Sequence, residues 1–192
     1  MEAQLNFLID AVRQGGADGR VLRLRGGGSK DFWGQGLTGE VLDTRAYRGI
    51  VSYEPSELVV TVRCGTPLAE LEAALAEKGQ SLAFEPPSFE ADATVGGMVA
   101  AGLSGPARAT AGAVRDYVLG ARFINGLGEH LTFGGQVMKN VAGYDVSRLM
   151  AGSWGTLGLI TEVSLKVLPV AFVVATNRAG AELAGPNTVA LH

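Results

Sequence analysis

The residues with the clearest chemical potential are three glycines followed by a hydroxyl and an amine: Arg25, Gly26, Gly27, Gly28, Ser29 and Lys30. Successive backbone amides in a glycine turn can point into one concavity, where the Ser29 hydroxyl and the Lys30 ammonium would add further donors. Such a set of donors suits a pyrophosphate group. A flexible turn without a ligand is the alternative that these six residues leave open.

Two common nucleotide-binding loops differ from this run. In a Walker loop the lysine precedes a serine or threonine, whereas here Ser29 precedes Lys30 and the first glycine is misplaced. The spaced GxGxxG fingerprint that leads directly into a helix is also not formed as a convincing unit. We therefore expect a phosphate loop of another kind.

A second stretch of interest, ATVGGMVAAGLSG at residues 93–105, consists almost entirely of small residues. Small residues let the backbone lie against a flat ring system, and the hydroxyls of Thr94 and Ser104 could hydrogen-bond to it. The alternative is a close-packed helix in which glycine and alanine merely permit near contact. A third run, AGYDVSRLMAGSWGTLGLITEVSLKVLP at residues 142–169, predicts a helix, a glycine turn and a strand, and by itself indicates architecture only.

The elements that must position these residues follow from the apolar spacing. Apolar residues at 5, 8, 9 and 12 predict an opening helix that ends at Gly15 and Gly16. Short strands are predicted before the glycine run and after it, and a helix that begins at Thr66 is predicted next. A hairpin over residues 117–133 and an alternating strand from Leu159 to Val167 complete the pattern.

Composition narrows the class of protein. Of 192 residues, 28 are glycine, about twice the usual ~7% share, and 47% are hydrophobic, which excludes a disordered chain. A net charge of −3 without a cluster of basic residues argues against nucleic-acid binding. The single cysteine, Cys64, cannot form an internal disulfide, a thiolate zinc site or an iron–sulfur cluster, so we expect no metal centre.

Apolar stretches around residues 93–103 and 167–175 are shorter than the ~18 to 20 residues that span a bilayer. The amino terminus is amphipathic and carries acidic residues, unlike an export signal. These features predict a cytoplasmic protein without direct membrane insertion.

Taken in this order, the three segments resemble the FAD-binding domain of the vanillyl-alcohol oxidase and p-cresol methylhydroxylase flavoprotein family. Within that family the resemblance is to the FAD-binding subunits of bacterial glycolate oxidases. The segments that carry it are RGGGSK, the stretch from EPPSFEADATVGG through FINGLGE, and the run from KNVAGYD through KVLP. The resemblance covers roughly Leu5 to Leu168.

What the resemblance implies about fold is an α+β, two-subdomain FAD-binding domain of the p-cresol methylhydroxylase type. Residues 1–80 would form a small lobe of parallel βαβ type, and residues 81–168 a larger, mainly antiparallel sheet with helices. Residues 169–192 would be a C-terminal extension without rigid structure. The substrate-binding cap domain that follows in full-length relatives would be absent.

The resemblance also implies roles for individual residues. Arg25 to Lys30 would form the pyrophosphate loop, and the backbone of Gly158 and Ile160 would approach the adenine end. The pyrophosphate, ribityl and isoalloxazine region would be lined by Pro87, Thr94, Gly96, Gly97, Ser104 and Gly105. No catalytic residue is assigned. His130, beside the hairpin turn, is expected to be a solvated surface residue.

Two departures from the family pattern refine these expectations. Some relatives attach FAD covalently through a histidine beside the glycine loop, where this chain has Ser29, and its histidines are His130 and His192 alone. We therefore expect noncovalent FAD. Trp154 replaces the glutamate of the GSEGTLG motif of many relatives, which favours the FAD-binding subunit over the catalytic flavoprotein subunit.

The function implied by the resemblance is that of one subunit of a glycolate oxidase complex. Its FAD would serve oxidation of glycolate, a 2-hydroxy acid, to glyoxylate, and its partners would be the catalytic flavoprotein subunit and an iron–sulfur subunit. Membrane association could then arise through the complex, and the isolated chain would not be active alone. Two alternatives remain at this stage, a structural subunit with an empty flavin site and a small stand-alone flavin oxidoreductase.

Overall fold

The computed structural model describes residues 2–34, 36, 38–89, 92–135 and 144–170, and the backbone of 174–176 and 182–184. The helices are α1 (Glu2–Ala17), α2 (Leu68–Ala76), α3 (Val95–Ala101), α4 (Arg108–Ala111), α5 (Val114–Tyr117) and α6 (Val146–Leu149). The strands are β1 (Leu22–Arg25), β2 (Glu40–Asp43), β3 (Ile50–Glu54), β4 (Val59–Arg63), β5 (Gln80–Ser81), β6 (Val118–Ile124), β7 (His130–Gly134), β8 (Leu159–Lys166), β9 (Leu168–Pro169), β10 (Val174–Thr176) and β11 (Glu182–Ala184). The expected α+β class is confirmed.

The main sheet has five antiparallel strands in the order β3-β4-β8-β6-β7. Its centre is the pair β4 and β8, in which Val60 lies opposite Leu165 and Val62 opposite Val163. These apolar side chains face the helices, whereas Glu162 on β8 belongs to the opposite face because successive residues of a strand alternate. The alternation seen in the sequence thus decides which face carries the core.

Strands β1 and β2 form a separate parallel pair, in register from Leu22 opposite Glu40 to Arg25 opposite Asp43. The glycine run starts directly after β1, as expected. Strands β3 and β4 precede residue 80 but pair with β8 through β4, so the main sheet draws strands from both sides of the subdomain boundary expected there.

Two groups of buried apolar residues hold these layers together. The larger lies between the main sheet and helices α2 and α3, with Leu71, Leu75 and Val99 fully buried. The smaller lies beneath α1, where Leu8 packs with Leu42 and with residues of the main sheet. The second group attaches the β1–β2 pair to the sheet, leaving a cleft between β1, α3 and the start of β8.

Helix α1 continues through Gly15 to Ala17, although an end at Gly15 and Gly16 was expected. The reason is a close approach, since a Cβ on Gly15 would lie 2.8 Å from Cδ1 of Leu22. Glycine therefore serves here to pack the helix against β1. The chain leaves the helix at Gly19, whose φ is +66°.

Most of the C-terminal extension expected at 169–192, including its expected lack of rigid structure, falls outside the described residues. Strand β9 pairs with β5, and β10 pairs with β11. No helix in the described part of the chain is both long and apolar enough to cross a bilayer.

Candidate functional site

A cleft of about 430 Å³ lies where the three sequence segments meet. Strand β1 and the glycine loop form one side, α3 forms the floor, and the turn before β8 forms the other side. The expected site residues on its wall are Arg25, Gly26, Gly27, Gly28, Ser29, Lys30, Thr94, Gly96, Gly97, Gly158 and Ile160. Segments that are distant in the sequence therefore contribute to one concave surface.

Three expected site residues, Pro87, Ser104 and Gly105, are not on this wall. The Ser104 hydroxyl accepts a hydrogen bond from the Val114 amide at 3.1 Å. The Gly105 amide donates to the carbonyl of Phe84 at 2.9 Å, and a Cβ on Gly105 would lie 2.5 Å from the Glu85 carbonyl oxygen. Both residues thus have local structural contacts.

The glycine loop is pressed against the segment that precedes α3. A Cβ on Gly26 would overlap the Thr94 hydroxyl, and a Cβ on Gly27 would overlap the Asp92 carbonyl oxygen. Thr94 itself starts α3, because its hydroxyl accepts from the Gly97 amide at 3.3 Å. The loop and the first turn of α3 can therefore touch only if no side chain intervenes.

The backbone amides of the glycine loop are a set of hydrogen-bond donors along the cleft. The loop is closed by the Asp31 amide, which donates to the Gly28 carbonyl at 2.9 Å, and by the Trp33 amide, which donates to the Lys30 carbonyl at 3.0 Å. The amides of residues 26–30 donate to no acceptor among the described residues. Half-buried amides need partners, so five of them along one cleft fit an anion with several oxygens, such as a pyrophosphate.

The charges around the loop are arranged unevenly. Arg23 and Arg25 both bind the Asp31 carboxylate, with Nη2 of Arg23 and Nε of Arg25 each 2.8 Å from Oδ2. Partial burial acts to raise the pKa of Asp31, but the hydrogen bonds and charges of Arg25 and Arg23 outweigh it and hold that pKa below its ordinary value. The two arginines are thereby partly neutralised.

Lys30 is the cation that the described acidic residues leave unpaired in this loop. Its Nζ lies 3.5 Å from the Ser29 hydroxyl and 5.6 Å from the centre of the Phe89 ring. Burial lowers the pKa of Lys30, which means that its charge is poorly solvated. An anion held by the loop amides would relieve that cost.

Packing explains part of the small-residue stretch. The Gly96 amide donates to the Cys64 carbonyl at 2.8 Å, and a Cβ on Gly96 would lie 2.6 Å from Cβ of Cys64. Close packing, the alternative left open for this stretch, therefore accounts for Gly96. Cys64 also lines the cleft, but burial raises the pKa of its thiol to about 12, so it remains protonated and unreactive at neutral pH.

The structure adds residues to the cleft wall that were not among the expected site residues. Thr44 reaches the wall because β2 runs parallel to β1, and its amide donates to the Arg25 carbonyl at 3.0 Å. Trp33 and Trp154 also line the cleft. From the sequence alone, a place in the core or in an interface is the more common one for such aromatic residues. No local signal in the sequence distinguishes these three residues, because their placement depends on long-range packing.

His130 is not on the cleft wall. It is half-buried on β7, with Nε2 2.9 Å from the Thr161 hydroxyl, and so is not the solvated residue expected. Desolvation, followed by the charge of Arg122, lowers the pKa of His130 despite the opposing charge of Glu162. Its contacts make it part of the sheet.

Comparison with known proteins was made on sequence and on structure. The family described as FAD binding domain matches residues 4–146. Glycolate oxidase subunit GlcE of Escherichia coli strain K12 is 57% identical over 162 residues, which cover 84% of this chain and 46% of that protein. Glycolate oxidase subunit GlcD of Bacillus subtilis strain 168 is 34% identical over 131 residues, covering 68% of this chain and 28% of that protein.

A solved structure of alkyldihydroxyacetonephosphate synthase superposes with a TM-score of 0.68 and 26% sequence identity, covering 87% of this chain and 30% of that one. The chain thus spans about half the length, or less, of these curated relatives. The shared region includes the glycine loop, the small-residue stretch and most of the main sheet.

Proposed function

This chain belongs to the FAD binding domain family, and we propose from that premise that its cleft holds FAD noncovalently within a 2-hydroxy-acid oxidoreductase. The observation that carries the proposal is the row of five amides at residues 26–30, which have no acceptor among the described residues, with the charge of Lys30, unpaired by any described acid, beside it. Polyphosphate is the part of FAD that such donors recognise. The same cleft offers apolar floor and wall for the rings.

Each side of the cleft has a separate task in this proposal. The loop from Arg25 to Lys30 would bind the pyrophosphate through its amides, and Lys30 would offset its charge. Thr94 and Gly97 would contact the part of FAD that follows the pyrophosphate. The backbone of Gly158 and Ile160 would contact the adenine end of FAD. When bound, FAD supplies the acceptor for the hydride equivalent removed from the substrate.

Noncovalent attachment is supported by the chemistry of the wall. The residue after the three glycines is Ser29, which is buried and forms no stable bond to a flavin. His130 lies on β7, away from the cleft wall, and is engaged with Thr161. The described wall therefore presents no nucleophilic histidine.

The substrate and partners proposed are those of a glycolate oxidase complex. Glycolate would be oxidised to glyoxylate, and electrons would pass between this chain, a catalytic flavoprotein subunit and an iron–sulfur subunit. The support is the 57% identity to GlcE over 162 residues, which cover 84% of this chain. Residues 1–168 would be the FAD-binding domain, and the complex would be cytoplasmic or held at a membrane by its other subunits.

The alternative of a structural subunit with an empty flavin site would be favoured by a cleft that side chains of the protein fill, and that is not the case among the described residues. A cavity of about 430 Å³ remains, and Trp33 forms its wall instead of occupying it. Phe89 lies under Lys30 and is not on the wall.

The proposal is tested by binding and by spectrum. The 192-residue chain is purified, stripped of flavin and titrated with FAD, and we expect saturation at one FAD per chain. Denaturation should then release all of the yellow flavin into the supernatant, since no covalent bond joins it to the protein. A protein that takes up no FAD would contradict the proposal.

The proposed reaction is tested with the partners. Glycolate should bleach the flavin of the assembled complex but leave that of the isolated chain oxidised. Reduction of the isolated chain by glycolate would instead identify a stand-alone oxidoreductase. Failure of an iron–sulfur protein to co-purify would argue against the proposed complex.

A further inference from the structure

Two tryptophans from distant parts of the chain stack on each other at one end of the cleft. The ring centres of Trp33 and Trp154 are 6.0 Å apart, and the ring planes differ by 26°. Both rings line the cavity, yet Trp33 remains 49% exposed and Trp154 45% exposed. Large aromatic rings are usually covered in a folded protein, and this half-exposed pair offers apolar surface to a ligand in the cavity.

Trp154 also has a backbone conformation that is unfavourable for a residue with a side chain. Its φ is +53°, in the left-handed region that glycine adopts without strain, and the flanking turn contains Gly152 and Gly155. The Trp154 amide donates to the Ala100 carbonyl at 2.9 Å, which fixes the strained residue to the end of α3. A strained, half-exposed aromatic ring at the edge of a cleft indicates a role in binding.

The position of the pair along the cleft identifies the ring that it would meet. The pair lies next to the glycine loop, because the Trp33 amide donates to the Lys30 carbonyl at 3.0 Å, whereas Trp154 is fixed to the end of α3 through Ala100. Of the two rings in FAD, adenine is joined to the pyrophosphate through the shorter linker, a ribose. The nearer ring is therefore adenine.

We infer that Trp33 and Trp154 form an aromatic wall on which the adenine ring of the dinucleotide stacks. The inference rests on the proposed FAD function and deepens it. The wall supplies a flat apolar surface, and the loop amides at residues 26–30 anchor the phosphates next to it. Phe32 braces Trp33 from the side at a ring separation of 6.0 Å, without lining the cleft itself.

The chain offers a direct optical test, because Trp33 and Trp154 are its only tryptophans. Tryptophan emission therefore reports on this wall alone. Saturating ADP, which contains adenine and pyrophosphate but no flavin, should change that emission. Emission that stays constant while calorimetry shows ADP bound would overturn the inference.

A variant series separates stacking from a general loss of structure. In Trp33→Ala and Trp154→Ala, affinities for FAD and ADP should each fall about tenfold or more, since a stacked base contributes on that order. Affinity for FMN, which has no adenine, should be unchanged. Trp154→Phe should keep most of the affinity, and Phe7→Ala, an exposed aromatic on α1, should leave all affinities unchanged.

The outcomes separate the inference from the function on which it rests. Equal losses for FMN and ADP would show that the tryptophans merely support the fold, and unchanged ADP affinity in both alanine variants would show that adenine does not stack there. Either result overturns the inference while leaving FAD binding intact. If the unaltered chain binds no FAD at all, the proposed function itself fails.

Discussion

Gly27 is the point of tightest approach in the cleft, because a Cβ there would overlap the Asp92 carbonyl oxygen. In Gly27→Ala the loop must therefore move away from the segment at Asp92, which displaces its amides from the cleft wall. We expect FAD affinity to fall at least tenfold, since each hydrogen bond from a backbone amide to a charged oxygen contributes about 1.5–3 kcal/mol. Calorimetric titration with FAD measures the loss.

Gly36→Ala is the matched control, because it adds the same methyl group beyond the same loop. A Cβ on Gly36 would meet no atom within 4 Å among the described residues. FAD affinity should therefore stay unchanged in this variant. Equal losses in both variants would mean that the glycines act through loop flexibility and not through close approach.

Asp31 makes the glycine loop sensitive to acid. Its pKa is below the ordinary 3.8 because the bonds and charges of Arg25 and Arg23 outweigh the opposing effect of burial. A lowered carboxyl pKa stabilises the folded state above the unfolded pKa, and this stabilisation disappears as the pH falls through the folded pKa. Asp31→Asn should thus be less stable than the natural chain at neutral pH.

The difference should shrink as the pH drops below the ordinary 3.8. Urea denaturation of both proteins from neutral pH to about pH 3 measures it. Asp10→Asn, at an exposed acid on α1, controls for the loss of one negative charge. A stability gap between Asp31→Asn and the natural chain that stays constant into acid would refute the assignment.

At the level of elements, α3 connects the glycine-loop side of the cleft with the end where Trp154 lies. It ends at Gly102, where φ is +65° and a Cβ would lie 2.8 Å from the Gly152 backbone. Gly79 has the same φ of +65°, but a Cβ there would have no neighbour within 4 Å among the described residues. A side chain at either glycine would therefore be strained in the left-handed region, but only at Gly102 would it also collide with a neighbour.

This pair yields a stability prediction. Gly79→Ala should lower the free energy of unfolding by about 1 kcal/mol, the cost of placing a side chain in the left-handed region. Gly102→Ala should lower it by about 1–2 kcal/mol more, because it also pushes α3 away from the turn at Gly152. Denaturant titration compares the two, and equal losses would show that the contact at Gly152 is easily relieved.

For the molecule as a whole, a buried polar network joins the small parallel pair to the main sheet. Glu162 on β8 is buried, and its Oε1 accepts a hydrogen bond of 2.7 Å from the Tyr47 hydroxyl, which follows β2. Its Oε2 lies 3.2 Å from Nη1 of Arg122 on β6, and Arg63 on β4 lies nearby. Burial, followed by the bond to Glu162, raises the pKa of Tyr47.

Removing Glu162 should therefore cost more than removing its partner. Tyr47→Phe should lower the free energy of unfolding by about 1–2 kcal/mol, and Glu162→Ala by about 3 kcal/mol, because the second change leaves Arg63 without its acid. A double-mutant cycle measured by denaturation should show losses that do not add. Additive losses would mean that the hydroxyl and the carboxylate act independently.

How much of this was predictable depends on the range of the interactions. The hairpin of β6 and β7 is a local pattern and is present as expected. The alternation of β8 does not separate a buried face from a solvent-exposed one, because its polar residues Glu162 and Ser164 are buried as well. The end of α1 was predicted wrongly because Gly15 does not end the helix but packs against Leu22 of another element. The Ser104 hydroxyl, which the sequence made a candidate for a ligand contact, accepts a hydrogen bond from the Val114 amide. That contact joins two segments and has no local signal in the sequence.

The glycine loop, the order of the elements and the resemblance to FAD-binding flavoproteins are all recognisable from the sequence, because they depend on residue type and short spacing. The three-dimensional packing was needed to see that the amides of residues 26–30 line one cleft without an acceptor in the described part of the chain, and that Cys64 leaves no room for a side chain at Gly96. It also brought Trp33 to Trp154. Such contacts depend on how β1, α3 and the turn before β8 pack, and no local preference encodes that packing.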